Sequence, residues 1–229
     1  MTTRTPAPTD VQAVLLDSGG VLMRPVGGRW NPRADFEETV LAHDPSITED
    51  RFAAAIAAGD RFFADSPSTP DHDDYHRVML HSLGAEATPQ LLADLRREVP
   101  ADRVLELYPD VRSTLEELSR RQVRMAVVSD AWPDLPDLRA ALGIRHFFEA
   151  YAISAELGCT KPDPRMYHHA STALGLTPGQ CLFIDDDPDL VRAAVDLGYA
   201  GRAIHRNPPL PDVPPVPSIT TLTELLELV

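Results

Sequence analysis

Lysine is almost absent from this chain: of its 21 basic residues only Lys161 is a lysine, and the rest are arginines. A codon bias toward arginine accounts for the trend. A lysine that survives it is a candidate for a task a planar guanidinium performs poorly, the placing of a compact point charge. Positive charge is scarce in general. Against 35 acidic residues the formal net charge is -14 and the sequence pI about 4.9. A surface of that sign repels phosphate backbones and anionic lipid, which excludes nucleic acid and membrane as partners. Apolar runs stop far short of the roughly 20 residues of a membrane span. The N-terminus also lacks a charged segment followed by an apolar one, so a cytoplasmic location is expected. Cysteine is limited to Cys159 and Cys181, too few for a disulfide framework and without zinc or redox spacing, which predicts buried, inert thiols.

What is present suffices for a packed core. Hydrophobic residues make up 43% of the 229 and charged residues 24%, ordinary for a globular chain and too apolar for disorder. That length accommodates one α/β domain carrying one insertion. Residues 1–10, rich in Pro and Thr, read as a disordered lead. Ala13 to Leu16 form a short apolar run ended by Asp17, Ser18, Gly19 and Gly20, the pattern of a buried parallel strand stopping at a loop.

From Asn31 to Val99 the spacing is helical, with apolar residues three and four apart over Phe36 to Leu41, Phe52 to Phe63, Tyr75 to Leu83 and Leu91 to Val99. Beyond Pro109 helix and strand signals alternate. Helices are predicted over Val111 to Arg121, Leu135 to Leu142, Arg165 to Leu174 and Leu190 to Leu197. Strands are predicted over Val123 to Val128, Tyr151 to Ile153, Cys181 to Ile184 and Gly201 to Ile204. Such alternation specifies a parallel sheet covered on both faces. Asn207 to Pro217 reads as an extended proline-rich connection, and Thr221 to Val229 as a short closing amphipathic helix. The expected fold is α/β: a Rossmann-like, doubly wound parallel sheet over 11–24 and 101–229, with an all-helical cap inserted over 25–100.

Three of these strands end in polar residues, at Asp17, at Ser129 with Asp130, and at Asp185 to Asp187, and parallel strand ends converge on one edge. Three adjacent aspartates repel one another unless a cation sits among them, and carboxylate oxygens suit magnesium. A second reading has the same residues capping the helix that starts near Pro188, where negative charge is favoured. Taken alone, both readings stand.

In order along the chain, DSGGVL, VVSD, KPDPRMY and FIDDDPD follow or precede the right elements, and together they resemble the four motifs of the haloacid dehalogenase superfamily. The resemblance runs from about Val11 to Val229, and the helical block falls where that family carries a type-one cap. It implies a magnesium-dependent hydrolase, a phosphatase acting on a small phosphorylated metabolite through an aspartyl-phosphate. Asp17 would be the nucleophile, Ser129 would hydrogen-bond the phosphoryl group, and Lys161 would neutralise it. Magnesium would be held by Asp17, the backbone carbonyl of Gly19 and Asp186, with Asp185 in support. Ser18, Gly19, Gly20 and Asp130 would line the phosphoryl site.

One departure matters. The family's phosphatases usually carry an aspartate two residues after the nucleophile, as general acid and base, and here that position is Gly19. A non-catalytic phosphoryl-binding protein of the same fold is therefore the alternative reading. A 2-haloacid dehalogenase needs no acid, but it has no use for the aspartates at 185 to 187. A phosphonatase needs a cap lysine, and this cap has none. Within the cap, His72 and His76 share a helix face at i, i+4 spacing, either as part of a solvated first turn or facing substrate in place of the missing acid. A zinc site there would lack a third ligand. Trp30, with Arg24 and Arg29, is placed to line the mouth of the site.

Overall fold

The computed structural model describes residues 11–206 and 216–229, so the expected lead and most of the proline-rich connection lie outside the described residues. The chain forms two compact units, one of residues up to Arg24 together with Leu107–Val229, the other Pro25–Glu106.

In the first unit β1 (Ala13–Leu16) is buried along its whole length. Fully apolar and flanked on both sides, it is the kind of strand that only the centre of a parallel sheet accommodates. The chain then passes through β2 (Met23–Pro25) into the helical unit. That unit holds α1 (Phe36–His43), α2 (Phe52–Asp65), α3 (His72–Leu83), α4 (Pro89–Arg96) and α5 (Ala101–Val104). It returns by β3 (Leu105–Leu107), which pairs with β2. The return falls at Leu107 rather than at residue 101, because this two-strand ribbon, only three residues on each side, is too short to leave a periodic signal in the sequence. The helix expected to reach Val99 stops at Arg96. Val99 precedes Pro100, and the residue before a proline is driven out of helical conformation.

Back in the first unit come α6 (Val111–Arg120), β4 (Arg124–Ser129), α7 (Leu135–Ala141), β5 (Ala150–Ile153), α8 (Ser154–Leu157) and α9 (Pro164–Ala173). They are followed by β6 (Cys181–Asp185), α10 (Pro188–Asp196), β7 (Ala200–Ile204) and β8 (Ser218–Ile219). The sheet order is β5-β4-β1-β6-β7-β8, with the pairs of β1, β4, β5, β6, β7 and β8 parallel. Strands run outward from β1 to β5, cross back, and run outward again from β6, which puts the topological switch point between β1 and β6.

One face of the sheet, with Leu15, Val128 and Phe183, is covered by Met166, Tyr167 and Ala170 of α9 and Val191 and Ala194 of α10. Burying each large apolar side chain there contributes about 1.5–3 kcal/mol before entropy is counted. α6 packs beside a closing 3-10 helix, Leu222–Glu227, within the stretch where a short helix was expected, capped by the reciprocal Thr221 and Glu224 pair. Cys159 and Cys181 are free and buried, and burial raises both thiols, Cys181 to about 11, which disfavours the reactive thiolate.

The helical unit has its own core, in which Phe36, Phe52, Tyr75, Met79, Leu80 and Leu91 are among the buried members. α3 starts where Asp71 accepts from the backbone N–H groups of Asp73 and Asp74, and it ends at Gly84 with φ 73°. No described helix is long and apolar enough to cross a membrane.

Candidate active site

Parallel register brings the strand ends together. Leu16 lies opposite Val127 of β4 and Ile184 of β6, so the chain leaves the sheet on one edge at Asp17, Ser129 and Asp185. The backbone N–H of Asp17 still donates to the Ile184 carbonyl at 2.9 Å, which ties the first residue beyond β1 to the strand that ends at Asp185. Ser129, the last residue of β4, is 3% exposed.

Lys161 enters from the loop before α9, where cis peptide geometry precedes Pro162. Its Nζ donates to Oδ1 of Asp17 and Oδ2 of Asp185, both at 2.7 Å, and its side chain is 3% exposed. Asp130 holds the loop itself: its Oδ1 accepts the backbone N–H of Lys161 at 3.0 Å, so this residue positions the lysine. Burial works to lower the pKa of the ammonium. The charges of Asp17, Asp185 and Asp130 outweigh that and raise it well above the ordinary value. Burial pushes Asp185 and Asp186 above the usual carboxylate range, with Asp17 adding to the rise and Lys161 offsetting only part of it.

One ammonium is thus too little positive charge for the carboxylates around it. Asp17, Asp185 and Asp186 each offer an oxygen within 4.8 Å of the others, the one such group among the described residues, and an all-oxygen donor set fits Mg2+. Asp187 has a different task. It caps α10 by accepting the N–H of Asp189 at 2.8 Å, and its own N–H donates to Asp185 Oδ1 at 2.9 Å. The capping reading of this acidic run therefore applies to Asp187, while Asp185 and Asp186 belong to the group that could hold a cation.

Gly20 is required where it stands. Its φ is +70°, and a Cβ there would lie 2.1 Å from Oδ2 of Asp186. Where Asp186 serves as a Mg2+ ligand, Gly20→Ala is expected to weaken Mg2+ binding by about 10- to 100-fold, the usual cost of disturbing the surroundings of a metal ligand. Titration calorimetry with MgCl2 checks this, and an affinity equal to the parent's would take Asp186 out of the cation site. Gly19, by contrast, is not among the positive-φ glycines.

Two further groups on this unit were missed in the sequence, the first without any local signal. Arg139 of α7 is completely buried and donates from Nη2 to the hydroxyl of Ser18; in the sequence LPDLRAA it looks like an ordinary solvated helix arginine. His205 and Arg206 follow β7 directly and line, with Gly20, Tyr108 and Asp186, a cavity of about 200 Å3. Arg206 pairs with Asp110 at 2.6 Å, donates to the Val21 carbonyl and lies 4.2 Å from the Tyr108 ring centre. Their signal was available, since they leave a sheet strand at the same edge as Asp17.

The helical unit treats its expected residues differently. Trp30, 45% exposed, lines a cavity of about 440 Å3 with Arg29, Asp60, Phe63 and Tyr75, and Arg29 is committed to Glu37 through two hydrogen bonds of 2.6 and 2.8 Å. His72 and His76 do share a face of α3, their rings stacked at 6.3 Å, with no third ligand near them among the described residues. His76 also stacks on Phe36 at 6.2 Å and is 7% exposed. Burial lowers its pKa to about 4, and neighbouring His72 adds to the depression. Its ring is packed inside the helical unit against Phe36, and burial works against its protonation.

A testable consequence concerns acid. The unfolded chain binds a proton at this histidine near pH 6.5 and the folded chain near 4, so its contribution to stability is complete above pH 6.5 and is lost as the pH falls between those values. The loss amounts to roughly 3 kcal/mol. His76→Phe is expected to lose less stability than the parent between pH 7 and pH 4.5 in urea denaturation. Equal losses would mean that His76 is protonated in the folded state.

The sequence model of the haloacid dehalogenase-like hydrolase family matches residues 11–198. The chain is 35% identical over 83 residues to a phosphoserine phosphatase of Thermus thermophilus, covering 36% of this chain and 33% of that protein. It is 29% identical over 144 residues to a glyceraldehyde 3-phosphate phosphatase of Methanopyrus kandleri, covering 59% and 60% respectively. The aligned parts are thus under two thirds of those relatives' lengths. Among solved structures, an L-2-haloacid dehalogenase from Xanthobacter autotrophicus superposes with a TM-score of 0.64 at 19% identity, over 95% of this chain and 98% of that one.

Proposed function

The chain belongs to the haloacid dehalogenase-like hydrolases, and we propose that it is a Mg2+-dependent phosphomonoesterase that hydrolyses a small phosphorylated metabolite through an aspartyl-phosphate on Asp17. The observation that carries this reading is the buried Asp17–Lys161–Asp185 clamp with Asp186 beside it. The relatives named for phosphoserine and glyceraldehyde 3-phosphate support the substrate class.

Lys161 holds Oδ1 of Asp17, which leaves Oδ2 as the attacking atom. As its bond to phosphorus forms, the ester P–O bond breaks and the leaving oxygen departs with the electron pair. Water then attacks phosphorus, loses its proton, and Asp17 is released as a carboxylate. Ser129 donates to a phosphoryl oxygen and Lys161 neutralises charge on the group in transfer. When bound, Mg2+ would be held by Asp17, Asp186 and the Gly19 carbonyl with Asp185 in support, and would offset repulsion between nucleophile and phosphoryl group. A haloacid reaction has no need of that cation or of the carboxylates that would hold it.

Gly19 leaves protonation of the departing oxygen to solvent, so aryl phosphates should outrun alkyl ones. Restoring the carboxylate with Gly19→Asp is expected to raise alkyl phosphate turnover by about ten-fold or more, within the range of general acid catalysis. A well-folded variant with no gain would show that another group already supplies the proton.

The test of the reading itself is phosphate release from p-nitrophenyl phosphate and a panel of small alkyl phosphates, with Mg2+ and with EDTA, beside halide release from 2-chloropropionate. Phosphate release that EDTA abolishes is expected. Metal-independent halide release would replace this reading with the dehalogenase one.

A further inference from the structure

Arg139 heads the largest fully buried side chains among the described residues, yet no carboxylate pairs with it. Nη2 donates to Ser18 Oγ, the ring centres of Phe148 and Tyr151 lie 5.0 and 5.6 Å from the guanidinium carbon, and Nε and Nη1 have no hydrogen-bond partner among the described residues. An interior charge held this way is costly, and an apolar side chain of the same length would fill the space without that cost. Burial lowers the pKa of Arg139 to about 10, with Tyr151 and Asp17 opposing the shift, so the guanidinium stays charged at neutral pH and lies within the field of Asp17.

Besides Tyr151, the side chain that Arg139 hydrogen-bonds is that of Ser18, the residue next to Asp17. The backbone carbonyl of Ser18 is also taken, accepting from the N–H groups of Leu22 and Met23 at 3.0 and 3.1 Å. Ser18 is therefore the point where the turn after β1 is fixed from two sides. Its backbone closes the turn, and its hydroxyl ties the turn to α7.

We propose that Arg139 is a positioning residue: by donating to the Ser18 hydroxyl it fixes the turn that presents Asp17. The link to catalysis rests on the phosphatase reading above. A misplacement of about 1 Å at a reacting group costs on the order of 10²-fold in rate, so the contact acts on kcat and leaves KM nearly alone.

The test compares Arg139→Met, Ser18→Ala and the double variant in the full-length, Mg2+-loaded protein. Turnover of p-nitrophenyl phosphate is measured together with hydrogen exchange of the peptide over residues 13–23. Each single variant is expected to lower kcat by about ten-fold or more with KM near the parent's, and to speed exchange in that peptide. The double variant is expected to do no more than either single one, because one contact is removed in all three. A residue that only packs would give a different pattern, with Arg139→Met lowering the melting temperature, Ser18→Ala silent in both readouts, and the effects additive; that pattern overturns the proposal. If Arg139→Met does not fold, Ser18→Ala decides the matter by itself. If the parent releases no phosphate from any ester, the phosphatase reading fails, while exchange over 13–23 still shows whether Arg139 fixes the turn.

Discussion

Asp17→Asn is expected to lower phosphatase turnover by about 10³-fold or more while leaving the protein folded, because an amide is nearly the size and shape of a carboxylate but cannot form the acyl-phosphate. The structure says why the fold should survive. Asp17 sits one residue beyond β1, tied through its backbone to Ile184, and that tie does not involve the side chain. The lysine keeps Asp185 as a partner at 2.7 Å. Removing the charge of Asp17 also removes one of the causes that hold Asp185 and Asp186 above the usual carboxylate range. Steady-state assays with Mg2+ alongside circular dichroism and thermal melting check both halves. Turnover within ten-fold of the parent would remove Asp17 from the mechanism.

Lys161→Met is expected to abolish turnover and also to destabilise the protein, which distinguishes it from the first variant. The methionine keeps most of the volume and removes the charge, leaving Asp17 and Asp185 buried side by side with no cation between them. Removing one partner of a buried pair typically costs about 3–5 kcal/mol. At roughly 2–4 °C per kcal/mol for a chain of this size, that is a fall in Tm on the order of 10 °C. Mg2+ should recover more stability in this variant than in the parent, since the cation then faces uncompensated carboxylates. Turnover should not return with it, because the charge that faces the phosphoryl group is gone. Differential scanning calorimetry with and without Mg2+ separates these effects. A Tm near the parent's in the absence of Mg2+ would mean that the buried carboxylates are protonated and need no counter-charge.

Much of the site was legible in the sequence because its residues stand where apolar runs stop. Asp17 follows a buried strand directly, Ser129 and Asp185 each end one, and a parallel sheet places such ends on one edge whatever the intervening chain does. Lys161 was visible by its rarity. The acidic run 185–187 was legible as important but not as divided, because whether a given aspartate caps α10 or turns toward Asp17 depends on the backbone beyond β6, which composition does not encode. The burial of His76 escaped the sequence for a related reason. Its i, i+4 partnership with His72 was read correctly, but a shared face says nothing of whether that face meets solvent or Phe36.

By itself the sequence determined the alternation of buried strands and helices, the helical insertion after the first strand, and the identity of the strand-end residues, because hydrophobic periodicity and chain punctuation are local properties. Only the tertiary structure decided which of those residues touch. Lys161 lies 144 positions from Asp17 and Arg139 lies 121 positions from Ser18. Contacts across such separations exist because β4, β1 and β6 are neighbours in the sheet, and no local pattern fixes that order. Burial is likewise a property of the packed whole, and burial gives these charges their strength: in the interior one lysine between buried Asp17 and Asp185 leaves a deficit of positive charge that water would otherwise have screened.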